Sequence, residues 1–221
     1  AEDDTEAPKL SWAKLLSYKQ TWAFAIGKFL TDPVWWFYLF WLPDFLDKQY
    51  GLSKTDIALP LALAYTISAA GSIFGGWLPM WFIKKGWPVF RSRKTSMLIY
   101  AFFALPVLSA QYLGSINMWF AILIIGLAMA AHAAWSANIY TTVSDMFPKN
   151  STASVTGIGG MFGALGGILI ARGAGKLFDH YKETGDPQAG YLIMFIICSV
   201  AYLTAWLIMH RLVPKMKKID I

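Results

Sequence analysis

The chain has 221 residues, of which 57% are hydrophobic and 14% are charged. Soluble domains contain about 45–50% apolar and about 25% charged residues, so this composition excludes an ordinary soluble core and predicts a membrane protein. The formal net charge of +6 does not indicate nucleic-acid binding, because the basic residues form no stripe. The single cysteine, Cys198, lies in an apolar run and predicts neither a disulfide framework nor a metal site.

Two polar stretches precede the first apolar segment. Residues 1–8 are acidic and predict a flexible linker. Residues 9–20 combine Leu, Trp and Lys at about helical spacing, which is typical of a short helix at the membrane surface or of the flank of the first span. We therefore expect residues 1–20 to form a cytoplasmic linker and an interfacial segment. The chain opens without Met and without a signal-peptide pattern, from which we expect a fragment or a processed chain.

Six apolar segments follow, each close to the ~20 residues that a helix needs to cross a bilayer. They predict spans at residues 22–46, 57–83, 95–113, 119–144, 154–170 and 191–212. The expected architecture is an all-α bundle of six transmembrane helices over residues 21–213, followed by a cytoplasmic tail at 214–221. Each proline in or beside the spans is expected to kink or end a helix, with a break at Asp32-Pro33.

The basic residues predict the orientation of the spans. Most of the 19 Lys and Arg residues lie at 9–19, 84–94, 149 and 211–218. These segments share one side of the membrane if the six spans alternate in direction. Cytoplasmic segments carry the excess of Lys and Arg, so both termini are expected in the cytoplasm.

The first span carries charged and aromatic residues on one face. Lys28, Asp32, Trp35 and Trp36 follow each other at i, i+4, i+7 and i+8. Asp32 lies about 15 Å into the helix at 1.5 Å per residue, where an ionisable group is costly and marks a candidate site. Two interpretations stay open. Either Lys28 and Asp32 neutralise each other structurally, or Lys28 attracts an anion while Asp32 holds Lys28 in place or accepts a proton.

Two stretches resemble hexuronate transporters of the anion:cation symporter branch of the major facilitator superfamily. Residues 27–43 (GKFLTDPVWWFYLFWLP) are similar to the seventh helix of that group. Residues 131–138 (AHAAWSAN), 143–148 (VSDMFP) and 155–160 (VTGIGG) are similar to its tenth and eleventh helices. The similarity covers nearly all of residues 9–215. It implies the C-terminal six-helix half of a major facilitator fold, with an N-terminal six-helix half as its partner.

The resemblance also implies a function. It predicts proton-coupled symport of hexuronates (glucuronate, galacturonate) or related sugar acids by alternating access, in the inner membrane of a bacterium. The proton-titrating carboxylates and the substrate-binding arginine of such symporters lie mainly in the half that precedes these residues. The alternatives are a carrier for another organic anion and a six-span membrane module that transports nothing.

The fourth span carries the second group of candidate residues. His132, Trp135 and Ser136 share a stripe, with Asn138 beside Trp135. Indole faces suit the C–H surface of a sugar ring, while His, Ser and Asn suit hydroxyl and carboxylate groups. The alternative is a polar face that hydrogen-bonds neighbouring helices. The related symporters have Ser where this chain has His132, a difference that fits a different sugar acid. For His132 itself, substrate contact, a packed hydrogen-bonding residue and a proton relay stay open.

Aromatic, glycine and catalytic patterns complete the prediction. One or two of Trp35, Trp36 and Tyr38 are expected to line a cavity. The ladder of Gly159, Gly163 and Gly167 at i, i+4 and i+8 predicts a close-packing helix face. The three histidines are scattered and no catalytic motif occurs, so we expect no enzyme, cofactor or metal site.

Overall fold

The computed structural model describes residues 10–215 and 217–219, which contain eight α-helices. A 3-10 turn, Leu105–Ser109, separates the fourth and fifth. Their bounds are α1 Trp12–Leu16, α2 Lys19–Tyr50, α3 Ala58–Lys84, α4 Val89–Ala104, α5 Ala110–Ile116, α6 Met118–Met146, α7 Lys149–Glu183 and α8 Pro187–Leu212. The predicted linker at residues 1–8, and residues 216, 220 and 221 of the predicted tail, lie outside the described residues.

The all-α membrane class is confirmed. Five helical stretches of the described chain are long and apolar enough to cross a membrane: Ala58–Lys84, Val89–Ile116, Met118–Met146, Lys149–Glu183 and Pro187–Leu212. The first predicted span lies in α2, whose 32 residues reach about 48 Å at 1.5 Å per residue. Helix α2 is not among the five apolar stretches, because Lys28, Asp32 and several Trp and Tyr residues lower its mean hydropathy.

The predicted break at Asp32-Pro33 is wrong, because α2 continues as one helix through Pro33 and Pro43. Pro33 has no N–H for the carbonyl of Phe29 four residues earlier. That carbonyl lies against α7 at Gly166, where a Cβ atom would be only 2.5 Å from the Phe29 oxygen. Close packing by the glycine covers the freed carbonyl, and the helix is preserved.

The helix of the fifth predicted span is longer than the span itself. The prediction ended the span at residue 170 or a few residues later, whereas α7 continues to Glu183. Residues 171–183 are polar but contain no proline, so hydropathy marks where the helix leaves the apolar layer and not where it ends. The helix stops just before Gly185, whose φ of 82° is the left-handed conformation that glycine adopts without strain.

Contacts at the two ends of the bundle show that the helices alternate in direction. At one end, the start of α4 meets the end of α6 through an ion pair between Arg93 and Asp145. At the other end, the Gln111 side-chain amide donates to the Gln188 carbonyl at 2.9 Å, so α5, which follows the end of α4, meets the start of α8. The result is an antiparallel up-and-down bundle.

Glycine brings α3 and α6 into backbone contact. A Cβ on Gly71 would lie 2.2 Å from the Ala130 carbonyl oxygen, and one on Gly75 would lie 2.6 Å from the Ala134 Cα. These distances leave no room for a methyl group. The two helices are therefore held at a fixed separation, as expected where small residues replace side-chain interdigitation.

Candidate functional site

A cleft of about 610 Å³ opens between α2, α3 and α6. This volume falls within the roughly 300–1,000 Å³ typical of small-molecule sites. Its lining consists of Lys28, Asp32, Trp35, Trp36, Tyr65, Ser68, Ala69, Ser72, His132, Ala133, Ser136, Ala137 and Tyr140. A cation, a carboxylate, aromatic rings and hydroxyl groups therefore share one cavity.

The Lys28 ammonium is the buried cation of this cleft. Its Nζ lies 2.7 Å from Asp32 Oδ2 and donates a hydrogen bond to the Tyr140 hydroxyl at 2.8 Å. The Lys28 side chain is 5% exposed and that of Asp32 is 18% exposed. Helix α2 supplies both charges one turn apart, and α6 supplies the hydroxyl.

Helix α7 packs closely against Asp32. A Cβ on Gly163 would lie 2.2 Å from Asp32 Oδ2, the oxygen that pairs with Lys28. Gly159 and Gly167 approach Phe24 and Trp36 in the same way, at 2.1 Å and 2.6 Å for their added Cβ atoms. The structure thus places the predicted glycine ladder on the face of α7 that meets α2. Gly163, the middle glycine of the ladder, leaves room for the Asp32 carboxylate.

Aromatic rings contribute much of the cleft lining. The Trp35 ring stacks on His132, with centroids 5.3 Å apart and planes 18° apart, and meets Tyr65 edge-on at 6.2 Å. His132 Nδ1 lies 2.7 Å from the Tyr202 hydroxyl, which ties the imidazole to α8. These contacts fix the Trp35 ring in the lining of the cleft, the position needed to stack on a bound ring.

Three predicted site residues lie behind the cleft. Tyr38 and Trp135 are fully buried, and the Trp135 ring meets Tyr202 at 5.5 Å. Asn138 Nδ2 donates to the Gly75 carbonyl at 2.7 Å and so joins α6 to α3. Substrate contact by these three stays a prediction. In this structure they form the packed layer that supports the cleft.

The prediction missed four polar lining residues. Tyr65, Ser68 and Ser72 lie at i, i+3 and i+7 of α3, on one face of the helix. Tyr140 extends the series of His132 and Ser136 by four residues. Both patterns are readable as helical periodicity, but the second span looks uniformly apolar at first sight because two of its polar residues are small serines.

Comparison with known proteins places the site in a family context. The model of the Major Facilitator Superfamily matches residues 1–171. The chain is 28% identical over 220 residues to a hexuronate transporter of Escherichia coli, covering 97% of this chain and 48% of that protein. It is 24% identical over 193 residues to a probable galactarate/D-glucarate transporter of the same species, covering 87% of this chain and 42% of that protein.

A third relative is a galacturonate transporter of Dickeya chrysanthemi, 33% identical over 78 residues, which cover 35% of this chain and 23% of that protein. The chain spans about half the length of the first of these relatives. The relatives are transporters and not enzymes. Because the family model matches most of its length, the chain belongs to the Major Facilitator Superfamily.

Proposed function

We infer that this chain is the C-terminal half of a secondary transporter that carries sugar-acid anions, most specifically hexuronates, by proton-coupled alternating access. The observation that carries the proposal is the buried Lys28 ammonium in a cleft that also holds aromatic faces and serine hydroxyls. A buried cation in a membrane-spanning bundle marks a site for anions. The relatives support the class of anion, because each of those named above carries a sugar acid according to its name.

The lining matches the parts of a hexuronate. The Lys28 ammonium suits the carboxylate, through a charge-assisted hydrogen bond. The faces of Trp35 and Trp36 suit the C–H surface of the sugar ring. Ser72 and Ser136 offer hydroxyls that both donate and accept, as a polyhydroxylated ring requires. The Ser68 hydroxyl donates to the Met129 carbonyl at 3.2 Å and can only accept from a substrate.

A second six-helix half is proposed to close the cleft. Ser72 and Tyr140 are exposed at its rim, and lipid cannot satisfy hydroxyl groups at membrane depth. A partner half with complementary polar groups provides that satisfaction. The proposal keeps both termini in the cytoplasm and places the transporter in the inner membrane of a bacterium. It assigns substrate contact to Lys28, Trp35, Trp36, His132 and Ser136.

Uptake of labelled galacturonate and glucuronate tests this function. Cells would express this chain together with the six spans that we propose precede it, and in parallel this chain alone. Uptake in the paired case that collapses with a protonophore is the expected result. Replacing Trp35 by alanine should reduce uptake about two- to tenfold, since an aromatic contact of about 0.5–1.5 kcal/mol is lost.

Trp77→Ala is the matched control, because Trp77 is 54% exposed and lies outside the cleft lining. An equal loss of uptake in Trp35→Ala and Trp77→Ala would show that the effect of removing Trp35 is not specific to the cleft. Uptake of another organic anion in place of the sugar acids would overturn the substrate class. Uptake by the chain alone would overturn its status as a half.

A further inference from the structure

We propose that Lys28 exchanges carboxylate partners during transport. Asp32 neutralises it in the empty site, and the substrate carboxylate then replaces Asp32, which takes up the proton that crosses with the substrate. The inference rests on the function proposed above and adds a coupling group within this half. Its basis is the arrangement of Lys28, Asp32 and Tyr140 in the lining of the cleft.

The geometry leaves room for a second carboxylate. An ammonium has three N–H donors, and two of those of Lys28 are engaged, by Asp32 Oδ2 and by the Tyr140 hydroxyl. Among the described contacts, Asp32 Oδ1 accepts no hydrogen bond. Asp32 is the more exposed partner of the pair, at 18% against 5% for Lys28. An incoming carboxylate can therefore accept the third N–H of Lys28. The Asp32 carboxylate that it would displace is already partly exposed.

The groups around the pair add no formal charge at neutral pH. Tyr65 faces it from α3, His132 and Tyr140 face it from α6, and Tyr202 lies behind His132 on α8. Tyrosine is neutral at pH 7, and histidine of ordinary pKa is mostly so. From α7 the pair is approached by Gly163, which carries no charge. Within the described part of this half, the charge balance of the cleft is therefore set by Lys28 and Asp32.

That balance makes transport of the anion alone unfavourable. The empty site, with Lys28 positive and Asp32 negative, has no net charge. A bound monoanion without a proton leaves one net negative charge in the bundle, which is costly at membrane depth. A proton from the outer solution that binds the displaced Asp32 carboxylate restores neutrality. It is released into the cytoplasm when the substrate leaves and Asp32 returns to Lys28.

Only the neutral states reorient readily, so one proton and one monoanion cross together. Transport of galacturonate is then electroneutral. It follows the pH difference across the membrane and does not respond to the membrane potential. A pH difference of one unit drives about a tenfold accumulation, since a factor of ten corresponds to about 1.4 kcal/mol.

Two variants of the paired transporter, reconstituted in vesicles, test the exchange. Asp32→Asn leaves Lys28 permanently positive, so galacturonate exchange across the membrane should persist while accumulation driven by a pH difference falls to a ratio near one. Lys28→Gln/Asp32→Asn removes both charges and should lower exchange as well, because this half then offers no cation to the carboxylate. Protein level and monodispersity are measured for each variant.

The second pair on α2 provides the matched control. Asp44 and Lys48 also lie at i and i+4, with Oδ2 and Nζ 2.9 Å apart, but outside the cleft. Lys48→Gln/Asp44→Asn should keep both exchange and proton-driven accumulation. A role for the Lys28–Asp32 pair in stability alone predicts that its double neutralisation behaves like this control, and that result would overturn the inference.

Proton-driven accumulation that survives in Asp32→Asn would equally overturn it, while leaving the proposed function intact. Failure of the unmodified transporter to move any sugar acid would overturn the proposed function and the inference with it. A direct measurement needs no variant. Adding galacturonate to the unmodified protein in weak buffer should remove about one proton per site from solution, and no pH change would contradict the exchange.

Discussion

Replacing Gly163 by alanine should displace the Asp32 carboxylate. The added methyl carbon would lie 2.2 Å from Asp32 Oδ2, 3.0 Å from its Cγ and 3.3 Å from its Cβ, whereas ordinary contact begins near 3.4 Å. Either α7 or the carboxylate must therefore move by about 1.2 Å. Overpacking of this kind typically costs about 1–3 kcal/mol. Because Oδ2 is the oxygen bonded to Lys28, the ion pair is stretched at the same time.

Thermal unfolding of the detergent-solubilised paired transporter measures this effect. Each kcal/mol lowers Tm by about 2–4 °C in a domain of 150–250 residues and by about half of that in a protein twice as long, so Gly163→Ala should melt a few degrees below the parent. Gly157→Ala is the matched control on the same helix, since nothing lies within 4 Å of its added methyl. Alanine there should be neutral, or stabilising by up to about 1 kcal/mol through helix propensity. Equal Tm values for the two variants would refute the close approach of α7 to Asp32.

Two further changes probe the rest of the bundle. Gly71→Ala should strongly reduce the amount of folded protein, because its methyl would meet a backbone carbonyl of α6 at 2.2 Å, whereas Gly76→Ala meets nothing within 4 Å; equal yields in size-exclusion chromatography would contradict the α3–α6 contact. Arg93→Asp and Asp145→Arg should each lower Tm by leaving a charge without its partner. Their combination should recover part of the loss, and a combined effect equal to the sum of the single effects would rule out the ion pair.

Sequence periodicity was sufficient for the helices and for half of the site. Apolar segments near bilayer length predicted each of the five apolar spans, and the i, i+4, i+7 spacing placed Lys28, Asp32 and Trp35 in one lining. Those inferences depend on geometry within a single helix. The all-α class followed directly, because only helices and closed barrels satisfy the backbone in lipid.

Contacts between helices could not be predicted in the same way. Asn138 and Trp135 share a polar stripe with His132 in sequence, yet Asn138 turns to the Gly75 carbonyl and Trp135 to Tyr202. Which side of the stripe faces the cleft depends on where α3 and α8 pack, and that information lies in other segments. The continuity of α2 at Pro33 has the same origin, since the glycine that covers the freed carbonyl belongs to α7.

The glycines divide the contacts between helices into two kinds, backbone contacts and side-chain contacts. Helices α3 and α6 touch through backbone atoms at Gly71 and Gly75, and α2 and α7 touch through the backbone where Gly166 meets the Phe29 carbonyl. The neighbouring glycine ladder of α7 receives side chains of α2. Across the cleft, by contrast, α2 meets α6 through long side chains, such as Lys28 with Tyr140. Backbone contacts have no rotamers to adjust, whereas side-chain contacts do. Each of these two helix pairs should therefore move as a rigid unit. The contacts across the cleft should be the flexible part of the bundle, so a bound ligand should change the distance between the two units.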